Sequence, residues 1–196
     1  MKVCFCLSGE MRGFPECVAQ LVEKIINPMT AAATVEVIAN VRLDPWWKTA
    51  AAMPYLRMLH VEKNHGPLDD SMIIGEKNPV ELGRYRDNKA TGNQPGRRRA
   101  FLYQSYLQYY RSLRIVGEMK RECERQDGAR YDWVFRVRPD VTYDGDFRLT
   151  VDKLTPGGVC FPNNDGFGWQ SDKFAAGSSE HMDVYFNREA YLGAFC

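Results

Sequence analysis

A short apolar run meets a cluster of charges in Tyr131-Asp-Trp-Val-Phe-Arg-Val-Arg-Pro-Asp-Val-Thr-Tyr-Asp-Gly-Asp146. The apolar residues at positions 133, 134, 135 and 137 predict a short buried strand. Charged side chains lie at its end and just beyond it: Arg136, Arg138, Asp140, Asp144 and Asp146. Because open α/β sheets bind ligands outside the carboxyl ends of their strands, this segment predicts both a sheet and a site at its edge.

Two interpretations of these charges are open. Carboxylates at a sheet edge can hold a hard divalent cation, and the cation can hold a diphosphate, which favours a metal-dependent site for a nucleotide-sugar. Alternatively, the segment is a polar turn in which arginine and aspartate side chains pair with each other.

Composition narrows the class of protein. A chain of 196 residues with 44% hydrophobic and 12% aromatic residues predicts one globular domain with a proper core. The net charge of +1 gives no general attraction to nucleic acid or to an anionic membrane. Apolar runs are all shorter than a membrane span, and the strand pattern begins at Lys2, so we expect a cytoplasmic protein without a membrane span.

The six cysteines predict no disulfide framework and no zinc site. Cys4 and Cys6 are two apart on a strand, so their side chains share a face and are not placed to bridge each other. The other four are scattered without the paired spacing of zinc ligands, and the three histidines do not complete a site. We interpret most of these thiols as small buried side chains in a reducing compartment.

Strand and helix patterns alternate along the chain. Strands are predicted at 2–7, 34–41, 57–61, 133–137 and 158–162. Helices are predicted from Pro15, over 100–124, and after a capping Ser178 with Met182 and Tyr185 facing inward. Residues 64–99 show no steady period and predict a long loop, which in a compact domain usually has a function. This order predicts an α/β fold with a mixed, mostly parallel sheet between helices.

The first turn, Ser8-Gly-Glu-Met-Arg-Gly13, is a second candidate site. It follows a strand and opens a helix, where α/β proteins place phosphates on backbone amides. It has neither the glycine fingerprint of dinucleotide folds nor the lysine of a P-loop. Arg12 could form a fork with a phosphate, or its side chain could simply be solvated.

A third candidate lies within residues 163–185. Glycine-flanked aromatic rings, Trp169 among them, offer flat faces for a sugar, and Asp165 can accept hydrogen bonds from sugar hydroxyls. Asp172 could act as the general base that takes a proton from an acceptor hydroxyl. Alternatively, Asp172 caps a turn. We expect Phe174-Ala-Ala-Gly177 to form a tight apolar turn.

Three segments together carry a family resemblance: Leu7-Ser-Gly-Glu-Met-Arg-Gly13, Tyr131-Asp-Trp-Val-Phe-Arg-Val-Arg-Pro-Asp140 and Ser171-Asp-Lys-Phe-Ala-Ala-Gly-Ser-Ser-Glu-His-Met-Asp-Val-Tyr185. In this order the chain resembles small glycosyltransferases of the A-type (GT-A) fold, especially those encoded by large algal viruses, the chloroviruses. The resemblance implies a Rossmann-like GT-A domain that moves a sugar, as a hexosyltransferase does, from a nucleotide-sugar. It also implies a UDP-sugar donor, a glycan or glycoprotein acceptor, and, for a viral protein, the host cytoplasm.

The resemblance also implies site residues. The family holds Mn²⁺ or Mg²⁺ with an Asp-x-Asp motif after a central strand, and here that position reads Arg138-Pro-Asp140, so only Asp140 carries over as a metal ligand. A literal Asp144-Gly-Asp146 follows four residues later. The donor would contact Leu7, Ser8, Gly9, Arg12, Arg84, Arg86 and Arg138. The sugar or acceptor would contact Asp165 and Trp169, with Asp172 as the catalytic base.

The domain organisation is predicted to be a single glycosyltransferase domain over 1–196. Because the chain ends on the apolar Ala194-Phe-Cys196, it could be the N-terminal domain of a longer polypeptide.

Two other functions remain open. A nucleotidyltransferase would share the metal carboxylates but would release pyrophosphate. A nucleic-acid-binding module could use Arg97-Arg-Arg99 with Tyr103 and Tyr106. The near-zero net charge favours a solvated or donor-facing role for those arginines, so we expect no nucleic-acid partner.

Overall fold

A computed structural model describes residues 1–9, 11, 13–43, 45–63, 95–143, 149–150, 154–162, 173–188 and 190, with side chains of the long helix described from residue 108. The predicted loop at 64–99 therefore lies outside the described residues, except for its last few, which are helical.

Six strands form one sheet in the order β3-β2-β1-β4-β6-β5. The strands are β1 (Lys2–Gly9), β2 (Thr34–Arg42), β3 (Leu56–Glu62), β4 (Trp133–Val137), β5 (Val159–Cys160) and β6 (Phe174–Gly177). The first four are parallel to one another, while β6 is antiparallel to both β4 and β5. The prediction of a mixed, mostly parallel sheet in an α/β fold is confirmed.

Helices cover both faces of this sheet. One continuous helical stretch contains α1 (Phe14–Gln20), a π-helical turn (Leu21–Ile26) and α2 (Asn27–Thr30), and α3 (Trp47–Ala51) follows β2. The opposite face is covered by the long α4 (Pro95–Asp127) and by α5 (Ser179–Phe186). Pro15 occupies the first turn of α1, where its missing N–H costs nothing.

The alternation of side chains along β1 divides the core into two layers. Val3, Phe5 and Leu7 pack toward α1 and α2, whereas Cys4 and Cys6 pack toward α4 and α5. Phe5 stacks on Phe135 of β4 with ring centroids 4.8 Å apart. The two thiols share a face as predicted, with their sulfur atoms 3.6 Å apart, and both are free.

The structure corrects one predicted element and confirms another. Phe174–Gly177 is not a tight turn but strand β6, paired in register with Val137 to Val134 of β4. The segment is short and ends in glycine, so locally it looks like a turn; its pairing with a strand about 40 residues away decides the outcome. Ser178 caps α5 as predicted, because its hydroxyl accepts a hydrogen bond from the amide of His181.

Candidate functional site

The carboxyl edge of the sheet contains a topological switch point between β1 and β4. The chain runs from β1 to β2 and β3 on one side, then returns through α4 to β4 on the other side of β1. In open α/β sheets, the crevice outside two such strand ends is where ligands bind. The segments that leave β1 and β4 at this point are the ones that the sequence singles out.

The ends of β1 and β4 lie close together. A Cβ atom on Gly9 would come within 3.7 Å of Pro139 Cδ and 3.8 Å of Arg138 Cγ. Gly9 also has a φ of 128°, a conformation that other residues rarely adopt. Glycine thus lets the chain leave β1 beside Arg138.

The third candidate segment reaches the same edge. The amide of Arg138 donates to the carbonyl oxygen of Lys173 at 2.9 Å, which extends the pairing of β4 with β6 by one bond. Lys173 directly follows Asp172 in the sequence. The structure therefore brings Gly9, Arg138 and Lys173, one from each sequence segment, to one edge of the sheet.

Several predicted site residues lie outside the described part of the chain: Arg12, Arg84, Arg86, Asp144, Asp146, Asp165, Trp169 and Asp172. The flanks of Arg12 are described, with Met11 buried and Gly13 in the left-handed conformation at the start of α1. Leu7 and Ser8 are fully buried. Gly9 is partly exposed, so at the end of β1 a ligand would meet its backbone.

The amides of the first turn of α1 bond within that turn. Phe14 donates to Met11 at 3.0 Å, and both Glu16 and Cys17 donate to the carbonyl of Gly13 at 3.1 Å. Glu16 also places a carboxylate in this turn. These three amides are therefore not available to a phosphate in this conformation.

Asp140 and Arg138 form a two-pronged ion pair. The guanidinium Nε donates to Oδ1 at 2.9 Å and Nη2 donates to Oδ2 at 2.7 Å. The side chains of Arg138 and Asp140 are 24% and 11% exposed, so the pair lies at the protein surface with most of its area covered. For Arg138 and Asp140, the structure thus shows the alternative interpretation, in which an arginine and an aspartate at the strand end pair with each other.

The described residues around Asp140 do not fit a metal site. Both carboxylate oxygens of Asp140 accept hydrogen bonds from a cation, Arg138. Nowhere in the described ranges do three or more histidine, cysteine or acidic side chains gather as metal ligands would. A metal ion on Asp140 stays a prediction from the resemblance.

Cys17 lies near this carboxylate. Burial raises the pKa of the Cys17 thiol, and the negative charges of Asp140 and Glu16 raise it further. The thiol therefore stays protonated at neutral pH, and it is neither a nucleophile nor an anionic ligand there.

Arg136 is a feature of this edge to which the sequence analysis gave no role. Its side chain is fully buried, Nη2 donates to the carbonyl of Ser8 at 3.2 Å, and the guanidinium lies 5.3 Å from the ring centre of Tyr109. Arg188 approaches the same ring at 5.4 Å and covers Tyr185 at 4.0 Å. An arginine inside an otherwise apolar strand was the signal that could have identified this buried cationic cluster.

The chain beyond Asp140 is fastened to the helical stretch 14–30. Tyr143 receives a hydrogen bond on its carbonyl from Lys24 Nζ at 2.6 Å, and its amide donates to Gln20 Oε1 at 2.9 Å. The amide of Leu149 donates to the carbonyl of Lys24 at 3.2 Å. These bonds fix the chain on both sides of residues 144–148.

Comparisons of the sequence with protein families and with curated proteins identify no family for this chain. The sequence matches none of the protein-family models, and no curated protein is significantly similar to it. Within the described part of the chain, every helix is too short or too polar to cross a membrane.

Proposed function

We propose that this chain is a glycosyltransferase that moves a sugar from a nucleotide-sugar, a UDP-sugar by resemblance, to a glycan or glycoprotein acceptor. The observation that carries the proposal is the meeting of Gly9, Arg138 and Lys173 at the switch point of the sheet. Gly9 lies beside Arg138, and Arg138 is hydrogen-bonded to Lys173, so parts of the three segments with candidate nucleotide, diphosphate and acceptor chemistry reach one edge of the sheet. A Rossmann-like GT-A domain would place its donor at such an edge.

The reaction requires two kinds of group at this edge. The acceptor oxygen forms a bond to the anomeric carbon, the bond from that carbon to the diphosphate oxygen breaks, and the nucleoside diphosphate leaves with the electron pair. The proton of the acceptor hydroxyl must pass to a base, for which Asp172 is our candidate. The charge that grows on the diphosphate must be met by fixed positive charge.

Positive charge is available from several arginines. Arg138 lies at the crevice, and Arg136 and Arg188 gather around Tyr109 on the α4 side of the sheet. We propose Arg12, Arg84 and Arg86 as further donor contacts, and Asp165 and Trp169 as contacts of the sugar or acceptor. Burial raises the pKa of Tyr109, so its phenol stays neutral between the two guanidinium groups.

A panel of nucleotide-sugars, each with Mn²⁺ and with EDTA, tests this function directly. Nucleoside diphosphate release and thermal shift should both single out one donor. Release of pyrophosphate from a nucleoside triphosphate and a sugar phosphate would instead indicate a nucleotidyltransferase. Binding to nucleic acid that weakens steeply with salt, without turnover of any donor, would indicate a binding module.

A further inference from the structure

We propose that Arg188, just beyond the end of α5, binds the phosphate group of a ligand on the α4 side of the sheet. The ligand is either a nucleotide or another phosphorylated compound, because the same phosphate chemistry serves both. This site goes beyond the proposed function, since the binding of a phosphate there does not require sugar transfer.

Tyrosine rings surround the guanidinium of Arg188. Its carbon atom Cζ lies 4.0 Å from the ring centre of Tyr185, 5.4 Å from that of Tyr109 and 5.7 Å from that of Tyr110. Its Nη2 donates a hydrogen bond to the hydroxyl of Tyr109. Among the described residues, no carboxylate forms an ion pair with Arg188, so its contacts are these aromatic ones. The rings hold the cation in place without neutralising its charge.

Buried polar atoms without a hydrogen-bond partner lie at the same place. Within the described ranges, neither Arg188 Nε nor the hydroxyl of Tyr185 has such a partner, although both atoms are buried. The whole of Tyr185 is only 5% exposed. Because nearly all buried polar groups of native proteins are hydrogen-bonded, two neighbouring exceptions indicate that a ligand supplies the partner. An oxyanion can accept from an arginine N–H and from a tyrosine hydroxyl alike.

The fold places Arg188 at the carboxyl edge of the parallel strands. Strand β6 is antiparallel to β4 and leaves this edge, and α5 then runs back toward it, so that Arg188 meets Tyr109 of α4. On the same ring, Arg136 lies 5.3 Å from the centre and donates from Nη2 to the carbonyl of Ser8 at 3.2 Å. The Ser8 hydroxyl is fully buried and has no hydrogen-bond partner in the part of the chain that the structure describes. These contacts connect Arg188 to the end of β1, at the edge where open α/β sheets bind ligands.

The charge and the exposure of Arg188 suit a phosphate as the ligand. Its side chain is partly exposed, so an anion can reach it from solvent. A guanidinium binds phosphate oxygens in a two-pronged way. Burial raises the pKa of Tyr109, so the ring between Arg188 and Arg136 adds no negative charge of its own. The positive potential at this ring therefore favours a phosphate group, which can carry two charges, over a single carboxylate.

Calorimetric titration of the full chain with pyrophosphate, and separately with UDP, tests the site. We expect pyrophosphate to bind the wild type saturably. Arg188→Gln should weaken this binding about 10- to 100-fold, the scale of a lost hydrogen bond to a charged group. Arg130→Gln is the matched control, because that arginine is 62% exposed and lies 3.8 Å from a carboxylate oxygen of Asp183. The control should bind pyrophosphate as the wild type does.

Two further measurements separate ligand binding from a purely structural role. Arg188→Lys keeps the charge but loses the two-pronged edge, so it should recover only part of the pyrophosphate affinity. In the wild type, which tests the site even if Arg188→Gln unfolds, pyrophosphate should protect Arg188 from modification by phenylglyoxal, as read from peptide masses. An arginine that only stabilises the fold would lower the melting temperature when substituted and leave the pyrophosphate affinity unchanged.

The outcomes distinguish the source of the phosphate. If Arg188→Gln weakens the binding of both pyrophosphate and UDP, the site holds the diphosphate of a nucleotide. If it weakens the binding of pyrophosphate alone, the site stands and belongs to another phosphorylated compound, while the proposed function is decided by its own donor panel. Equal pyrophosphate affinity of Arg188→Gln and the wild type would overturn the site. The absence of both saturable binding and protection in the wild type would overturn it as well.

Discussion

The backbone amide of Arg138 donates to the carbonyl oxygen of Lys173 at 2.9 Å, and this bond joins two segments that are far apart in the sequence. Arg138 directly follows the strand β4 and belongs to the charged cluster at its end, and Lys173 follows the candidate base Asp172. A group that acts on the acceptor and a group that acts on the donor diphosphate would need this kind of proximity. The bond therefore motivates separate tests of the two halves of the site.

Asp172→Asn tests the acceptor half. If Asp172 is the general base, sugar transfer should fall by roughly 10²- to 10⁴-fold, the usual scale of base catalysis. Donor affinity should hardly change, because the nucleotide end of the site is untouched. Transfer rate and donor Kd are measured side by side, with Asp132→Asn at the opposite edge of the sheet as the control. A parallel loss of donor binding and transfer would mean that Asp172 contacts the donor instead.

Arg12→Ala tests the donor half. Loss of a hydrogen bond to a charged phosphate should weaken UDP binding by roughly 1.5–3 kcal/mol. The melting temperature should barely move, because an arginine that serves to bind the nucleotide contributes little to folding. Calorimetry and a thermal melt of the same sample measure both quantities. Unchanged affinity with a large loss of stability would make Arg12 a structural residue.

Lys120→Met tests the buried ion pair that joins α4 to α5. Lys120 is fully buried, and its ammonium contacts Glu124 at 3.0 Å and Asp183 at 2.8 Å. Removal of one partner from a buried ion pair leaves uncompensated charge, so unfolding free energy should fall by about 3–5 kcal/mol. Arg121→Met is the matched control, since Arg121 meets the same Asp183 but is 40% exposed. Equal effects of the two substitutions in urea would refute this role of Lys120.

Gly117→Ala tests the close approach of the same two helices. Alanine normally stabilises a helix interior relative to glycine, by about 1 kcal/mol. Here a Cβ atom would lie 2.6 Å from the Cβ of Phe186, so we expect the opposite sign and a loss of roughly 1–3 kcal/mol from overpacking. Glu118→Ala, on the exposed side of the helix, provides the baseline. A higher melting temperature for Gly117→Ala would contradict this packing.

Local sequence patterns were sufficient to predict the elements that have a clear apolar run or a capping residue. β1, β4 and the cap of α5 at Ser178 follow from apolar runs and capping chemistry, and the structure confirms them. The same patterns could not identify Phe174–Gly177 as a strand, because its partner Val134–Val137 is remote in sequence. Short strands acquire their identity from such pairing more than from their own residues.

The candidate site was predictable in place but not in detail. The charges after β4 pointed to the carboxyl edge, yet whether Arg138 pairs with Asp140 or faces away from it depends on side-chain geometry that spacing does not encode. Arg136 was visible as a charge in an apolar strand, but its contacts to Ser8 and Tyr109 come from β1 and α4. Such contacts exist only once the sheet and the long helix have packed.

Chemical-shift mapping of UDP on the ¹⁵N-labelled chain tests the location of the site most directly. Glycine amides serve as reporters, because Gly9 lies at the carboxyl edge beside Arg138, whereas Gly128 follows α4 at the opposite edge. If the crevice between β1 and β4 binds the nucleotide, the Gly9 amide should shift in step with saturation while the Gly128 amide stays in place. Saturable shifts at Gly128 with Gly9 unmoved would contradict the account.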